Sequence, residues 1–311
     1  MIRIPASCRA LSLVLAIALG LAAPLGAQQP GQPGAPASSS PAVSQRQDQG
    51  LAEVNGARLA WTALGQGPPL LLITGYGATR ELWAPDLVAR LARNHRVILY
   101  DHRGMGGSGS TGAASGPGAA DGAEPPLTLD LLARDALGLL DALSIPRADL
   151  LGWSMGAAVA LEAALAQPQR VNRLVLYGAC ADPRHLNAVV ARLSSMTLAE
   201  FLDARFPPGW AESHPGEVAR IPRPVGPSDP EAVAAQRGAM ARWPGILDRL
   251  PRLARPVLVV AGEADWVCPP GQGEMLAARA PNATLAVLPG GHWLMYQDPG
   301  GLARAAEEWL K

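Results

Sequence analysis

The chain has 311 residues, 49% of them hydrophobic, with 26 basic residues against 26 acidic ones. A formal charge of zero and the absence of any basic block exclude nucleic acid as the expected partner. The length is large for one domain, but one α/β domain with an insertion can hold it.

Residues 1–27 read as a secretory signal peptide. Arg3 and Arg9 give a basic start, Ala10 to Ala23 is an apolar run, and Pro24-Leu25-Gly26-Ala27 ends on a small residue. The run is shorter than the roughly 20 residues of a comfortable membrane span. An exported chain, periplasmic or secreted, with no stable span after cleavage, is therefore expected. Residues 28–50 are rich in Gln, Pro, Gly and Ser, bury too little to order themselves, and read as a tether.

Leu51 to Leu64 predicts a hairpin turning at Asn55-Gly56. Leu70 to Ile73 is an unbroken apolar run, the mark of a strand covered on both faces. Glu81 to Arg93 has helical spacing, and Val97 to Tyr100 is the next buried strand. Ser110 to Pro126 lacks periodicity and reads as a surface loop. A helix follows over Leu127 to Leu143, then a strand at Asp149 to Trp153, a helix from Ala157, and a strand at Arg173 to Tyr177. Asp182 to Leu253 has weak helical stretches at Leu186 to Phe206 and Pro230 to Met240, and reads as a cap inserted between two sheet strands. Strands at Pro256 to Ala261 and Thr284 to Leu288 alternate with helices from Gly271 to Arg279 and Gly300 to Leu310. This alternation implies an α/β fold, a mainly parallel sheet with helices on both faces. The core is expected at 51–181 and 254–311, and the cap at 182–253.

In such sheets ligands bind beyond the carboxyl ends of the strands, and three chemically competent residues fall there. Gly152-Trp153-Ser154-Met155-Gly156 reads G-x-S-x-G between a strand and a helix. Its glycines permit the sharp turn that exposes the Ser154 hydroxyl. Asp265 follows the Pro256 to Ala261 strand, and His292 follows the Thr284 to Leu288 strand. A serine hydroxyl needs a base, and the base needs an orienting acid. His292 is the expected base and Asp265 the expected acid. Glu263 and Asp182 are the rival acids. An oxyanion hole would use the backbone N–H of Met155 and that of Tyr76, in the loop Thr74-Gly75-Tyr76-Gly77.

These segments, with Asp101-His102-Arg103-Gly104-Met105-Gly106-Gly107-Ser108, resemble the α/β-hydrolase-fold serine hydrolases. The resemblance implies a mostly parallel eight-stranded sheet with a cap after the sixth strand. It also implies that Asp101 to Ser108 braces the loop beside the site. Thr74 stands where the family usually carries histidine. Ser154, in place of an aspartate, argues against epoxide hydrolases and haloalkane dehalogenases. The expected reaction is cleavage of an ester, lactone or related acyl bond of a small molecule, with no cofactor and no metal. A C–C bond hydrolase or a perhydrolase would use the same triad, and a non-catalytic binding protein would usually have lost part of it.

Leu198, Phe201, Phe206, Trp210 and Trp243 are plausible pocket walls, although each on its own is expected to pack the cap against the sheet. Trp153, Trp293, Met155 and Met295 flank the site. Cys180 and Cys268 each follow a strand and are expected to be two buried thiols, with a disulfide as the alternative in an exporting compartment. Oligomeric state is not readable from these residues.

Overall fold

The computed structural model describes residues 47–109, 126–193, 195–197, 200, 203–222 and 229–311. The expected signal peptide, most of the expected tether and nearly all of the expected Ser110 to Pro126 loop lie outside them.

The strands are β1 (Gln47–Val54), β2 (Ala57–Leu64), β3 (Pro69–Ile73), β4 (Arg96–Tyr100), β5 (Ala148–Trp153), β6 (Val171–Tyr177), β7 (Val257–Gly262) and β8 (Ala283–Leu288). They form one eight-stranded sheet in the order β1-β2-β4-β3-β5-β6-β7-β8. β1 and β2 run antiparallel, as do β2 and β4, and every other neighbouring pair is parallel.

Among the described residues the α-helices are α1 (Pro85–Leu91), α2 (Leu129–Ala142), α3 (Met155–Ala166), α4 (Pro183–Leu193), α5 (Trp210–Ser213), α6 (Pro215–Ala219), α7 (Pro230–Arg242), α8 (Pro270–Arg279), α9 (Leu294–Gln297) and α10 (Pro299–Trp309). α2 and α3 pack one apolar cluster against one face of the sheet, while α1 and α10 pack a second cluster. Apart from Glu162, α3 is apolar all round, as suits a helix buried on nearly every side. β5 and β7 are buried at every position, which explains why their sequences do not alternate.

Besides shifts of a few residues at several ends, two differences from the sequence reading have a clear local reason. β1 begins at Gln47, inside the expected tether, and pairs with β2 from Gln47↔Leu64 onward. Ladder hydrogen bonds come from the backbone, so an edge strand can extend through Gln and Gly without an apolar side chain. The helix expected over Glu81 to Arg93 is split. A 3-10 turn spans Arg80–Leu82, Trp83 and Ala84 are extended, and α1 starts at Pro85. Proline disfavours helical backbone in the residue before it and is well placed at the first helical position. α2 starts where Thr128 Oγ1 accepts the Leu131 N–H at 3.0 Å.

The stretch between β6 and β7 carries α4 to α7. Its best-tied point is Glu162 of α3. This buried carboxylate accepts the Trp243 indole N–H at 2.6 Å and two Arg249 guanidinium bonds at 2.7 and 2.5 Å. The insertion is thus fastened to the helix that starts at Ser154.

Candidate active site

Ser154 lies between β5 and α3, as the N-cap residue of α3, with φ 56° and ψ −119°. A non-glycine residue held there stores about 1–3 kcal/mol, a cost that the surrounding structure must over-determine. Here the Ser154 N–H donates to the Tyr177 carbonyl at 2.9 Å, and the Ser154 carbonyl accepts the Ala157 N–H at 2.9 Å. A Cβ on Gly156 would strike the carbonyls of Ile73 and Thr74, so only glycine lets α3 start this close to the neighbouring loop. The Ser154 side chain is left half-exposed at the carboxyl end of the sheet.

Asp265 follows β7 and is buried. Its Oδ1 accepts the Cys268 N–H at 2.8 Å, and its Oδ2 pairs with His292 Nδ1 at 2.8 Å. With Nδ1 donating to the carboxylate, the neutral imidazole carries its lone pair on Nε2. His292 is itself buried, and its ring lies 5.8 Å from that of Trp153. Among the hydrogen bonds of the described residues, none joins Ser154 to His292.

Among the described residues, neither rival acid pairs with His292. Glu263 is exposed. Asp182 turns to the Arg184 N–H at 2.9 Å, which holds its carboxyl below the usual range.

Tyr177 reaches both halves of the site. Its backbone carbonyl holds the Ser154 N–H, and its hydroxyl donates to the His292 carbonyl at 2.5 Å. Full burial pushes this phenol far above its ordinary range, so it remains a donor. The next residue, Gly178 at φ +56°, passes so close that a Cβ would sit 3.1 Å from the His292 ring. The sequence offered only a faint signal for Tyr177, as the last residue of a buried strand.

Cys180 and Cys268 are joined in a disulfide, which corrects the expectation of two buried thiols. Both lie at the carboxyl edge of the sheet, with Cα atoms 5.2 Å apart, within bonding range. The bond staples the exit of β6 to the loop carrying Asp265. Gln272 adds to the same seam, its Oε1 accepting the N–H groups of Ala181 and Asp182 at 2.9 and 3.0 Å. Arg205 is buried nearby; burial lowers its pKa to about 10, opposed by the charge of Asp265.

The loop expected to supply a second oxyanion donor passes against the serine. A Cβ on Gly75 would lie 3.2 Å from the Ser154 Cβ. Thr74 is buried, and its carbonyl pairs with His102 Nε2 at 3.2 Å. His102 had no individual role in the sequence reading, yet it braces the loop from beneath where the family's usual histidine is absent. Burial lowers its pKa, favouring the neutral ring.

Asp101 and Ser108 make the expected structural brace. Asp101 accepts the N–H groups of Arg80 and Gly107 at 2.6 and 2.9 Å. Ser108 Oγ donates to the Asp101 carbonyl at 2.7 Å and accepts the Ala60 N–H at 2.8 Å.

Of the aromatic residues expected near the site, Phe206 is buried, stacked on Trp210 at 4.5 Å and edge-on to Trp293 at 5.7 Å. Trp243 faces Glu162 and serves packing. Met155 and Met295 are buried. Leu198 and Phe201 lie outside the described residues. Among the described residues, no group of three or more His, Cys, Asp or Glu side chains is arranged to hold a metal ion.

Comparison with known proteins agrees with this architecture. The protein is 33% identical over 237 residues to the "Putative carbamate hydrolase RutD" of Variovorax paradoxus (strain S110), covering 73% of this chain and 85% of that protein. It is 28% identical over 262 residues to 3-oxoadipate enol-lactonase 2 of Acinetobacter baylyi, covering 81% of this chain and 93% of that one. The crystal structure of the enol-lactonase from Burkholderia xenovorans LB400 superposes with a TM-score of 0.72 at 27% identity, over 84% of this chain and 99% of that one. The family model described as "Alpha/beta hydrolase family" matches residues 70–305, a span that takes in the Ser154 turn, the Asp265–His292 pair and the insertion between them; the chain is a member of the alpha/beta hydrolase family.

Proposed function

We propose that this hydrolase is a serine enzyme cleaving a carboxylic ester, lactone or related acyl bond through an acyl-enzyme. The observation that carries the reading is the buried Asp265 Oδ2–His292 Nδ1 pair at 2.8 Å, at the same sheet end as the strained Ser154 turn. In this reading Ser154 Oγ attacks the substrate carbonyl carbon as its proton passes to His292 Nε2. Asp265 stabilises the imidazolium that forms. The N–H groups of Tyr76 and Met155 hold the oxyanion. The bond from the carbonyl carbon to the leaving oxygen then breaks, and His292 returns the proton to that oxygen. Water next attacks the acyl-enzyme, giving its proton to His292. Collapse releases the acid and restores the Ser154 hydroxyl. Carbamates and enol lactones, named for two relatives, share an acyl carbon bearing a heteroatom leaving group and fit the same sequence of steps.

The test is labelling of the purified chain with a fluorophosphonate probe. Wild-type protein is expected to label and Ser154→Ala not to. Equal labelling of both removes the nucleophile from this reading. We further propose that the chain is exported and cut after the expected signal peptide. The buried Cys180–Cys268 disulfide supports an oxidising compartment. Fractionation of the host with N-terminal sequencing checks this. Full-length chain retained in the cytoplasm defeats it.

A further inference from the structure

Where the insertion meets the loop beside Ser154, Gln236 ties the two together and leaves a buried donor that the described residues do not use. Gln236 of α7 is fully buried, and its Oε1 accepts the Gly77 N–H at 2.9 Å across 159 residues of sequence. That bond fixes the orientation of the amide, because the reverse would set one donor against another. Nε2, on the same carbon, is then left buried without a hydrogen-bond partner among the described residues. Leaving a buried donor unpaired is costly, so its retention calls for a reason.

Two donors that adjoin this bond in sequence are likewise unclaimed, though half-exposed. Arg237 is half-buried and has no hydrogen bond or ion pair among the described residues. Tyr76, the residue before Gly77, is half-buried, and its hydroxyl likewise has no partner there. Burial raises the Tyr76 phenol while the charge of Arg237 pulls it down. The Gln236–Gly77 bond thus brings the pair 236–237 against the pair 76–77. The Asp229 cap of α7 and Glu231 lie at the first turn of the helix and bond to each other through the Glu231 N–H, at 2.9 Å. What remains toward the loop is a guanidinium, an amide NH2 and a phenol.

We propose that Gln236, Arg237 and Tyr76 form a subsite for an anionic oxygen group, a carboxylate, carried on the acyl part of the substrate. Guanidinium recognises carboxylate by paired, charge-assisted bonds, and neutral donors complete its oxygens. The inference rests on the reading of Ser154 as the nucleophile, because the acyl group must sit beside the Tyr76 loop when attacked.

The experiment compares two activated esters on the full chain: the p-nitrophenyl monoester of glutaric acid, and the same compound with its free carboxylate capped as a methyl ester. The quantity read is the ratio of their kcat/KM values. Wild-type enzyme is expected to favour the free carboxylate, and added sodium chloride to erode that preference. Arg237→Gln is expected to cut the ratio by about ten- to hundredfold, the worth of a hydrogen bond to a charged group. Arg237→Lys should restore part of it, and Gln236→Leu should lower it less than Arg237→Gln. A wild-type ratio at or below one, or a ratio unmoved by Arg237→Gln, overturns the subsite. Should Gln236→Leu fail to fold, Arg237→Gln decides alone, since that side chain is half-exposed. The two failures are distinguishable. Cleavage of the capped diester through Ser154 with no carboxylate advantage removes the subsite only. Loss of all Ser154-dependent cleavage and labelling removes the proposed function as well.

Discussion

The two sides of the Ser154 turn are held by different means. On one side, the Asp265 loop is stapled to β6 by a disulfide, buried, and bonded at both carboxylate oxygens. On the other, the loop over Thr74 to Ala78 depends on His102 beneath it and Gln236 above it, each by one hydrogen bond. The acid–histidine side is built from the sheet core and its immediate exits. The opposite side takes one of its two ties from the insertion. The Asp265–His292 geometry is therefore set by the core, while the loop over Thr74 to Ala78 is set partly by how the insertion seats.

The largest effect tests the tightly held side. Asp265→Asn keeps the shape but offers His292 the wrong hydrogen-bonding partner, and turnover of any ester that the wild type cleaves is expected to fall by about four powers of ten. Glu263→Gln, at an exposed position, should leave turnover within a factor of about two, as surface substitutions usually do. Comparable losses in the two variants would transfer the acid to Glu263.

The next effect falls on stability. The Cys180–Cys268 bond spans 88 residues. Replacing both cysteines by alanine is expected to remove about 2–5 kcal/mol, read as a lower midpoint in urea. Because Asp265 takes its bond from the Cys268 backbone, turnover measured well below that midpoint should change far less than in Asp265→Asn. A collapse of turnover with an unchanged midpoint would mean that the staple works on the site and not on the fold. A smaller loss is expected from Tyr177→Phe. It removes the long bond accepted from the Met295 N–H at 3.4 Å and the short bond donated to the His292 carbonyl, the latter worth about 0.5–1.5 kcal/mol. If that bond aims His292, kcat should fall severalfold with KM unchanged. An unaltered kcat would confine the hydroxyl to stability.

How far the sequence foretold this contrast follows from where the signals lie. The core strands were legible because burial on both faces makes them unbroken apolar runs, as in Leu70 to Ile73 and Val97 to Tyr100. Asp265 and His292 were legible because each stands just past such a run, and their pairing follows from adjacent parallel strands ending together. The disulfide was open to two readings, since strand ends locate cysteines without giving their separation. Gln236 left no trace. It sits on a weakly periodic helix, and its partner is a backbone N–H far along the chain, for which no side-chain pattern exists. The early start of β1 was hidden for the same reason, because ladder bonds are made by backbone and leave Gln47 to Gly50 looking like tether.

The weakest effect concerns the other brace of the loop and is a matter of pH. His102 is fully buried, and burial holds its pKa below the ordinary histidine value of about 6.5. The folded ring is neutral where the unfolded ring begins to take a proton. As pH falls below about 6.5, the unfolded state therefore binds more protons at this position, and stability drops until the folded pKa is passed. Above about 6.5 the contribution is complete. Glutamine at position 102 can still donate to the Thr74 carbonyl but cannot titrate. His102→Gln is thus expected to show a smaller fall in melting temperature between pH 7 and pH 5 than the wild type, whatever its stability at neutral pH. Parallel falls in the two proteins would mean that protonation of this ring does not weigh on the fold, and that the loop is indifferent to the charge beneath it.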